Sequence, residues 1–176
     1  MILRDTIDDD IDPIFAVRRH PAVLAQQFRL TPGDTPESWR DWLAGANLVD
    51  CSVFRCTTIL DDDQVVGHIT QRGAEINGKV TFSIGFNLLP SHWGRGLMRE
   101  ALSSVIPDLF ANHAAKHVVI GYFRGNTRCE RLSTSLGFEP LKVSAFQRAY
   151  IAYKMGCLRW IRFRFLDFER WSDNCR

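Results

Sequence analysis

Gly94 and Gly96 flank Arg95 at the join between a run that alternates like a strand and a run with helical spacing. The strand-like run, "KVTFSIGFNL", ends near Leu88, and the helical one begins near Leu97. The first backbone N–H groups of a helix have no partner inside it, and the positive end of the helix dipole lies behind them. Two positions without side chains at such a point let an anion approach the bare main chain. In chemical terms, "PSHWGRGLMREAL" is a phosphate cradle, with Arg95 adding mobile positive charge. It lacks the spaced Lys-Ser/Thr of a Walker loop. It also lacks the third glycine and the early strand–helix–strand setting of a dinucleotide fingerprint.

The rest of the chain supplies a mixed set of elements around this join. "CSVFRCTTIL", "QVVGHITQ" and "KVTFSIGF" are rich in β-formers. "DDDQ" turns between the first two, and the Asn-Gly of "INGK" turns before the third, so an antiparallel meander is expected. Upstream, "MILRDTI" reads as a short strand. Ile11, Ile14, Phe15 and Arg18 then keep helical spacing until Pro21 ends the helix. Thr35 is an N-cap with Pro36 and Glu37 behind it, and Trp39, Trp42, Leu43 and Ala46 line one face of the helix that follows. Downstream come a helix from Leu97 to His113, a buried strand "HVVIGYF", and a helix that stops at Gly137. The tail reads as two strands around "KMG"; in the second, Ile161, Phe163 and Phe165 share one face and Arg162 and Arg164 the other. Alternation of types along the chain predicts an α/β (α+β) domain.

Composition sets outer limits. The 176 residues fit one domain, taken here as 1–176. The net charge of +2 is too small to argue for nucleic acid by itself. Acids crowd the start (Asp5, Asp8, Asp9, Asp10, Asp12) and arginines the end (Arg159, Arg162, Arg164, Arg170, Arg176). This pattern reads either as two solvated faces or as a site for an anionic partner near the basic end. The five cysteines form no CxxC pair and no zinc-spaced cluster, so free thiols in a reducing compartment and no metal are expected. The acidic N-terminus does not read as a signal peptide, and no apolar run approaches the roughly 20 residues of a membrane span. A cytoplasmic protein is expected.

"PSHWGRGLMREAL" resembles the acetyl-CoA pyrophosphate loop of the GNAT acetyltransferase superfamily, with Trp93, Gly94, Gly96, Glu100 and Ala101 matching the Rim-type branch of ribosomal-protein N-terminal acetyltransferases. "NTRCERLSTSLGFEP" resembles a second block of that branch through Asn126, Leu136, Gly137 and Phe138. The resemblance covers about residues 3–140. It implies a mixed, mostly antiparallel sheet flanked by helices, with strands splayed at the acetyl-CoA site. It implies that Phe86, Asn87 and Leu88 offer backbone hydrogen bonds to the pantetheine arm. Trp93, Gly94, Arg95, Gly96 and Leu97 would hold the pyrophosphate by their N–H groups. Asn126 would bond the pantetheine, and Arg131 would reach the nucleotide end. Glu100 reads as a dipole partner of its own helix.

The pattern breaks where side chains usually assist the reaction. Ser83 stands where many members carry a glutamate, and Ser133 where many carry a tyrosine acid. Cys129 stands where the branch has serine, which makes it either the proton donor to the departing thiolate or a small buried residue; an ordinary thiol pKa of about 8.5 suits the first role. His68 and Glu75 are remote candidates for a base, each with a plainer reading: His68 as a core or solvated strand histidine, Glu75 as a solvated residue of a hairpin loop. Trp39 and Trp42, three apart on the helix that by resemblance borders the acceptor pocket, are either core or a stacking surface.

Without a carboxylate base, an α-amine of pKa about 8 is deprotonated at pH 7 for about 1.4 kcal/mol, against about 4.6 for a lysine side chain. The expected function is acetyl transfer from acetyl-CoA to an α-amine, at a peptide N-terminus or on an aminoacyl group. Alternatives are acetylation of an aminoacyl-nucleotide antibiotic of the microcin C type, or of aminoacyl-tRNA, and a non-catalytic module that binds acyl-CoA. A nucleic-acid binder acting through the basic tail fits the small net charge poorly.

Overall fold

A computed structural model describes residues 1–27, 33–46, 53–76, 78–141, 161–167 and 169, with 161–163 by main chain alone. The chain opens with β1 (Ile2–Asp5), a 3-10 turn (Asp8–Asp10), α1 (Ile11–Arg19), α2 (Pro21–Leu24) and α3 (Pro36–Leu43). The meander follows as β2 (Val53–Asp61), β3 (Gln64–Ile76) and β4 (Lys79–Leu88). Then come α4 (Leu97–Asn112), β5 (His117–Phe123), α5 (Thr127–Ser135), β6 (Glu139–Pro140) and β7 (Ile161–Asp167).

These strands make one seven-stranded sheet in the order β1-β2-β3-β4-β5-β7-β6. Every pairing is antiparallel except β4 with β5, which α4 joins as a crossover. The β4–β5 ladder covers only Thr81–Ile84 against His117–Ile120. Beyond it the two strands part, while β4 stays paired to β3 as far as Leu88 and β5 to β7 as far as Phe123. This is the expected splay, and it leaves inner edges of β4 and β5 facing one another across a gap.

Period-2 alternation sorts β2 onto two cores. Phe54 and Cys56 pack with Ile11, Ile14, Phe15 and Trp39 of the N-terminal helices. Ile59 faces the opposite side, where Phe82, Ile84, Val118 and Ile120 meet Leu102, Ile106 and Leu109 of α4 and Phe138 beyond α5. Local chemistry sets the element ends. Asp62 and Asp63 take φ of +49° and +59° in the two-residue β2–β3 turn. Thr35 caps α3 reciprocally with Ser38 (3.2 and 3.1 Å). Gly137 closes α5 at φ +83°, where its N–H reaches the Thr134 carbonyl and that of Phe138 reaches Ser133.

Three expectations shift. Pro21 ends α1 but also opens α2 at its first helical position, where its missing N–H costs nothing. Helix α3 stops at Leu43, so Ala46 lies beyond its packed face. Glu75 belongs to the β3 ladder, opposite Val80, and not to the hairpin loop. The first of the two tail strands, with "KMG", lies outside the described residues. Among the described residues, no helix is long and apolar enough to cross a membrane.

Candidate active site

The gap between β4 and β5 opens into a cleft of about 1370 Å³ that runs from the glycine loop to the N-terminal helices. The volume exceeds the roughly 300–1,000 Å³ of most single-ligand pockets, which suits two substrates meeting end to end.

At the loop end, Gly94 (φ +78°) and Gly96 (φ +81°) both sit in left-handed backbone, a conformation that costs an L side chain about 1–2 kcal/mol. Gly96 is the N-cap of α4 and supplies no side-chain cap, so the first N–H groups of the helix are left to a ligand. Trp93 does a different job from the one expected. Its own N–H bonds to the Pro90 carbonyl (3.1 Å), and its indole N–H donates to the Leu88 carbonyl (2.7 Å). The indole thus ties the loop to the end of β4. The Arg95 guanidinium pairs with Asp61 at the end of β2 (2.9 Å) and is not among the residues lining the cleft.

Sequence reasoning missed other positive charges at this end. Arg99 lies in the first turn of α4 and Arg128 in the first turn of α5, and both line the cleft with Arg131. A cation in a first turn opposes the helix dipole. Two of them beside one cleft are favourable once an anion lies between them, and that contradiction was readable in "LMR" and "NTR". Arg128 also stacks over the Trp93 ring at 4.5 Å.

Along β4 the alternation of hydrogen bonds decides which residues face the gap. Leu89 N–H bonds to the Val66 carbonyl, so in this register Asn87 and Gly85 point their main chain at β3, and Phe86 and Leu88 point theirs at the gap. Of the three positions expected to hold the pantetheine, Phe86 presents both its N–H and its carbonyl. Leu88 presents its N–H alone, because Trp93 occupies its carbonyl. Asn87 is turned the other way, and its side chain donates to Gln27 (2.9 Å).

Across the gap, Asn126 is the N-cap of α5 and accepts from the Cys129 N–H (3.1 Å). Its side-chain oxygen is thereby engaged, and the residue lines the cleft. Cys129 is buried in the larger core while lining the cleft. Burial pushes its thiol up to about 12, with Arg164 acting in the opposite sense. It therefore stays protonated and is a poor acid, contrary to the proton-donor reading. Ser133 is fully buried and donates to the Glu130 carbonyl of its own helix (3.0 Å). Ser83 is exposed on β4 and lines the cleft.

The other end is walled by aromatic and charged side chains. Trp39 is core: it is 0% exposed, meets Phe15, Phe54 and His68 edge-on at 5.1, 5.6 and 5.4 Å, and donates to Asp34 (2.7 Å). Trp42, three residues on, is half-buried at the cleft with Arg72 over its ring at 4.8 Å. Arg18 pairs with Asp34. Asp34 is the single carboxylate among the described lining residues, and Arg18 and Trp39 both hold it. Neither remote base reaches the cleft. His68 is fully buried with both ring nitrogens unpartnered, and desolvation, then Arg18, hold it well below its ordinary pKa. Glu75 is exposed and stands away from the lining. In the tail, Arg164 turns inward, donating to the Tyr122 hydroxyl and the Phe138 carbonyl (both 2.9 Å), so this arginine serves the fold side of the sheet and no outer anionic surface.

A bare-backbone loop at a helix start, a splayed strand pair with free main-chain groups and an Asn-capped helix opposite thus meet at one cleft. The acetyltransferase (GNAT) domain family matches the chain over residues 1–139, and the chain belongs to that family. Solved structures share its fold. The ribosomal-protein-S5-alanine acetyltransferase of Vibrio fischeri superposes with a TM-score of 0.71 at 17% identity, covering 96% of this chain and 93% of that one. The ribosomal-protein-alanine N-acetyltransferase of Brucella melitensis gives 0.68 at 18%, covering 96% and 100%. An aminoglycoside acetyltransferase, AAC(6')-Ib, in complex with coenzyme A gives 0.74 at 13%, covering 99% and 98%. The chain is an acetyl-CoA-dependent N-acetyltransferase of the GNAT type.

Proposed function

We propose that the acceptor is an α-amine, on a peptide N-terminus or an aminoacyl group, whose surroundings are neutral or anionic. One observation carries this reading: among the described lining residues the sole carboxylate, Asp34, is committed to Arg18 and Trp39, while Arg72, Arg99, Arg128 and Arg131 also line the cleft. A polycationic acceptor needs carboxylates to replace its water, and a lysine side chain needs a strong base. Among the described lining residues neither is present. An α-amine needs only about 1.4 kcal/mol to lose its proton at pH 7, which water can take.

In this reading the N–H groups at Gly94, Arg95, Gly96 and Leu97 hold the pyrophosphate, with Arg99, Arg128 and Arg131 supplying charge. Phe86 and Leu88 hold the pantetheine arm by main chain, and Asn126 bonds it from α5. A backbone N–H of the β4 edge stabilises the oxyanion. Ser83 and Trp42 border the acceptor, and Trp39 supports them from behind.

Trp42 and Arg72 favour a second form of the same reading. A half-buried indole beside an arginine fits a flat ring followed by an anionic link, as in an aminoacyl nucleotide or its antibiotic analogues. The buried free thiols Cys56 and Cys129 fit a reducing, cytoplasmic setting.

The test is a panel with acetyl-CoA: a short Ala- or Ser-starting peptide, an aminoacyl-sulfamoyl adenosine, an Nα-blocked lysine and an aminoglycoside. CoA release and product mass are followed. Transfer to the first or second is expected. Preferential transfer to the lysine or the aminoglycoside would overturn the α-amine reading.

A further inference from the structure

We propose that the phenol of Tyr122 is the proton donor to the departing thiolate and that Arg164 is its positioning residue. The inference rests on acetyl transfer from acetyl-CoA and not on which amine accepts.

The usual donor position is empty of chemistry, because Ser133 is buried and bonded to its own helix. Cys129 keeps its proton too firmly. Tyr122 lies on β5 beyond Ile120, where β4 has already parted from β5, and it is buried yet lines the cleft. Its oxygen accepts from Arg164 Nε at 2.9 Å. Arg164 is itself fixed, by donation to the Phe138 carbonyl at 2.9 Å and by Glu130 at 3.7 Å, with its side chain 12% exposed. A guanidinium has donors only, so it must take the phenol oxygen as acceptor, and the phenol proton remains to be given elsewhere. Among the described residues no acceptor for that proton is present. The titratable and charged groups around the phenol are Arg164 from β7 and Glu130 and Cys129 from α5. Glu130 stands 3.7 Å from Arg164.

The amine nitrogen bonds to the thioester carbon, the C–S bond breaks with its pair on sulfur, and the Tyr122 proton moves to that sulfur. The amine gives one proton to water, and water returns one to the phenolate. Arg164 shelters the phenolate charge between the two events.

The test needs no acceptor. The thiol of protein-bound CoA is titrated through its ultraviolet thiolate absorbance, in the wild type and in Y122F. A phenol donating to the thiolate holds the thiol pKa down, so Y122F is expected to raise it by about one unit. With whichever amine turns over, Y122F is expected to lower kcat at least about 100-fold, the lower end for a positioned acid, with the KM for acetyl-CoA unchanged. R164Q should reproduce part of both effects and R164K should restore them in part. R164Q also carries the test if Y122F does not fold. An unchanged titration in Y122F and R164Q, or a shift seen in C129A alone, would overturn the proposal.

Discussion

At one end of the cleft, Gly94, Gly96 and the parted edge of β4 offer main-chain N–H and carbonyl groups, which Trp93 fastens to Leu88 and around which Arg99, Arg128 and Arg131 add charge. At the other end nearly everything presented is side chain: Trp42, Arg72, and the Arg18–Asp34 pair propped on Trp39. Main-chain recognition depends on backbone shape, which a short glycine pattern fixes. Side-chain recognition can be rewritten one residue at a time on the same scaffold. A fold shared with both ribosomal-protein and aminoglycoside acetyltransferases at under 20% identity fits that division.

The comparison can be broken most severely at Asp34. The side chains of Asp34 and Arg18 are each 12% exposed, so D34A strands a buried guanidinium and costs roughly 3–5 kcal/mol. Thermal melting should show the loss, while CoA binding to the folded fraction persists. G96V addresses the opposite end. A β-branched residue at φ +81° adds strain and a side chain where the anion must approach. Calorimetry should find acetyl-CoA binding weakened about tenfold to a hundredfold, which is about 1.4–2.8 kcal/mol. W42A is smaller and sharper: the acceptor KM should rise about tenfold, roughly 1.4 kcal/mol, with the acetyl-CoA KM unmoved. If W42A shifts the acetyl-CoA KM instead, the two ends are not separate.

The remaining effects are in pH. Cys56 and Cys129 are both pushed up to about 12 from 9.0, mainly by desolvation. The unfolded thiols ionise near pH 9 while the folded ones stay neutral, so stability should fall as pH rises from about 9 toward 12, by on the order of 1 kcal/mol per thiol over the first unit. Denaturant melts of the C56A/C129A variant should show a flatter alkaline limb. His68 acts in the other direction. Its folded pKa lies well below 6.5, so its contribution is present above 6.5 and is lost as pH falls below that value.

Much of the fold was legible because its signals are local. The Asn-Gly hairpin, the Thr35 cap and the Gly137 stop each depend on a few adjacent residues, and the meander and both cleft-side helices followed from them. The glycine cradle was legible for the same reason. What sequence could not show was pairing over distance. That Trp39 is core and Trp42 is cleft depends on Asp34, Phe54 and His68 arriving from elsewhere. That Cys129 is too deeply buried to be a good acid depends on the core around α5. That the Tyr122 phenol is held depends on Arg164, 42 residues further along.

That last contact carries a consequence for the order of folding. β7 enters the sheet between β5 and β6, two strands that precede it in the sequence. As the chain leaves the ribosome, everything through Pro140 emerges while β5 still has an open outer edge and its phenol is unclamped. An open edge invites strand addition from a neighbouring chain. Insertion of 161–167 covers the β5 edge and sets Arg164 against Tyr122 in one event, so pairing of that edge and fixing of the phenol are coupled.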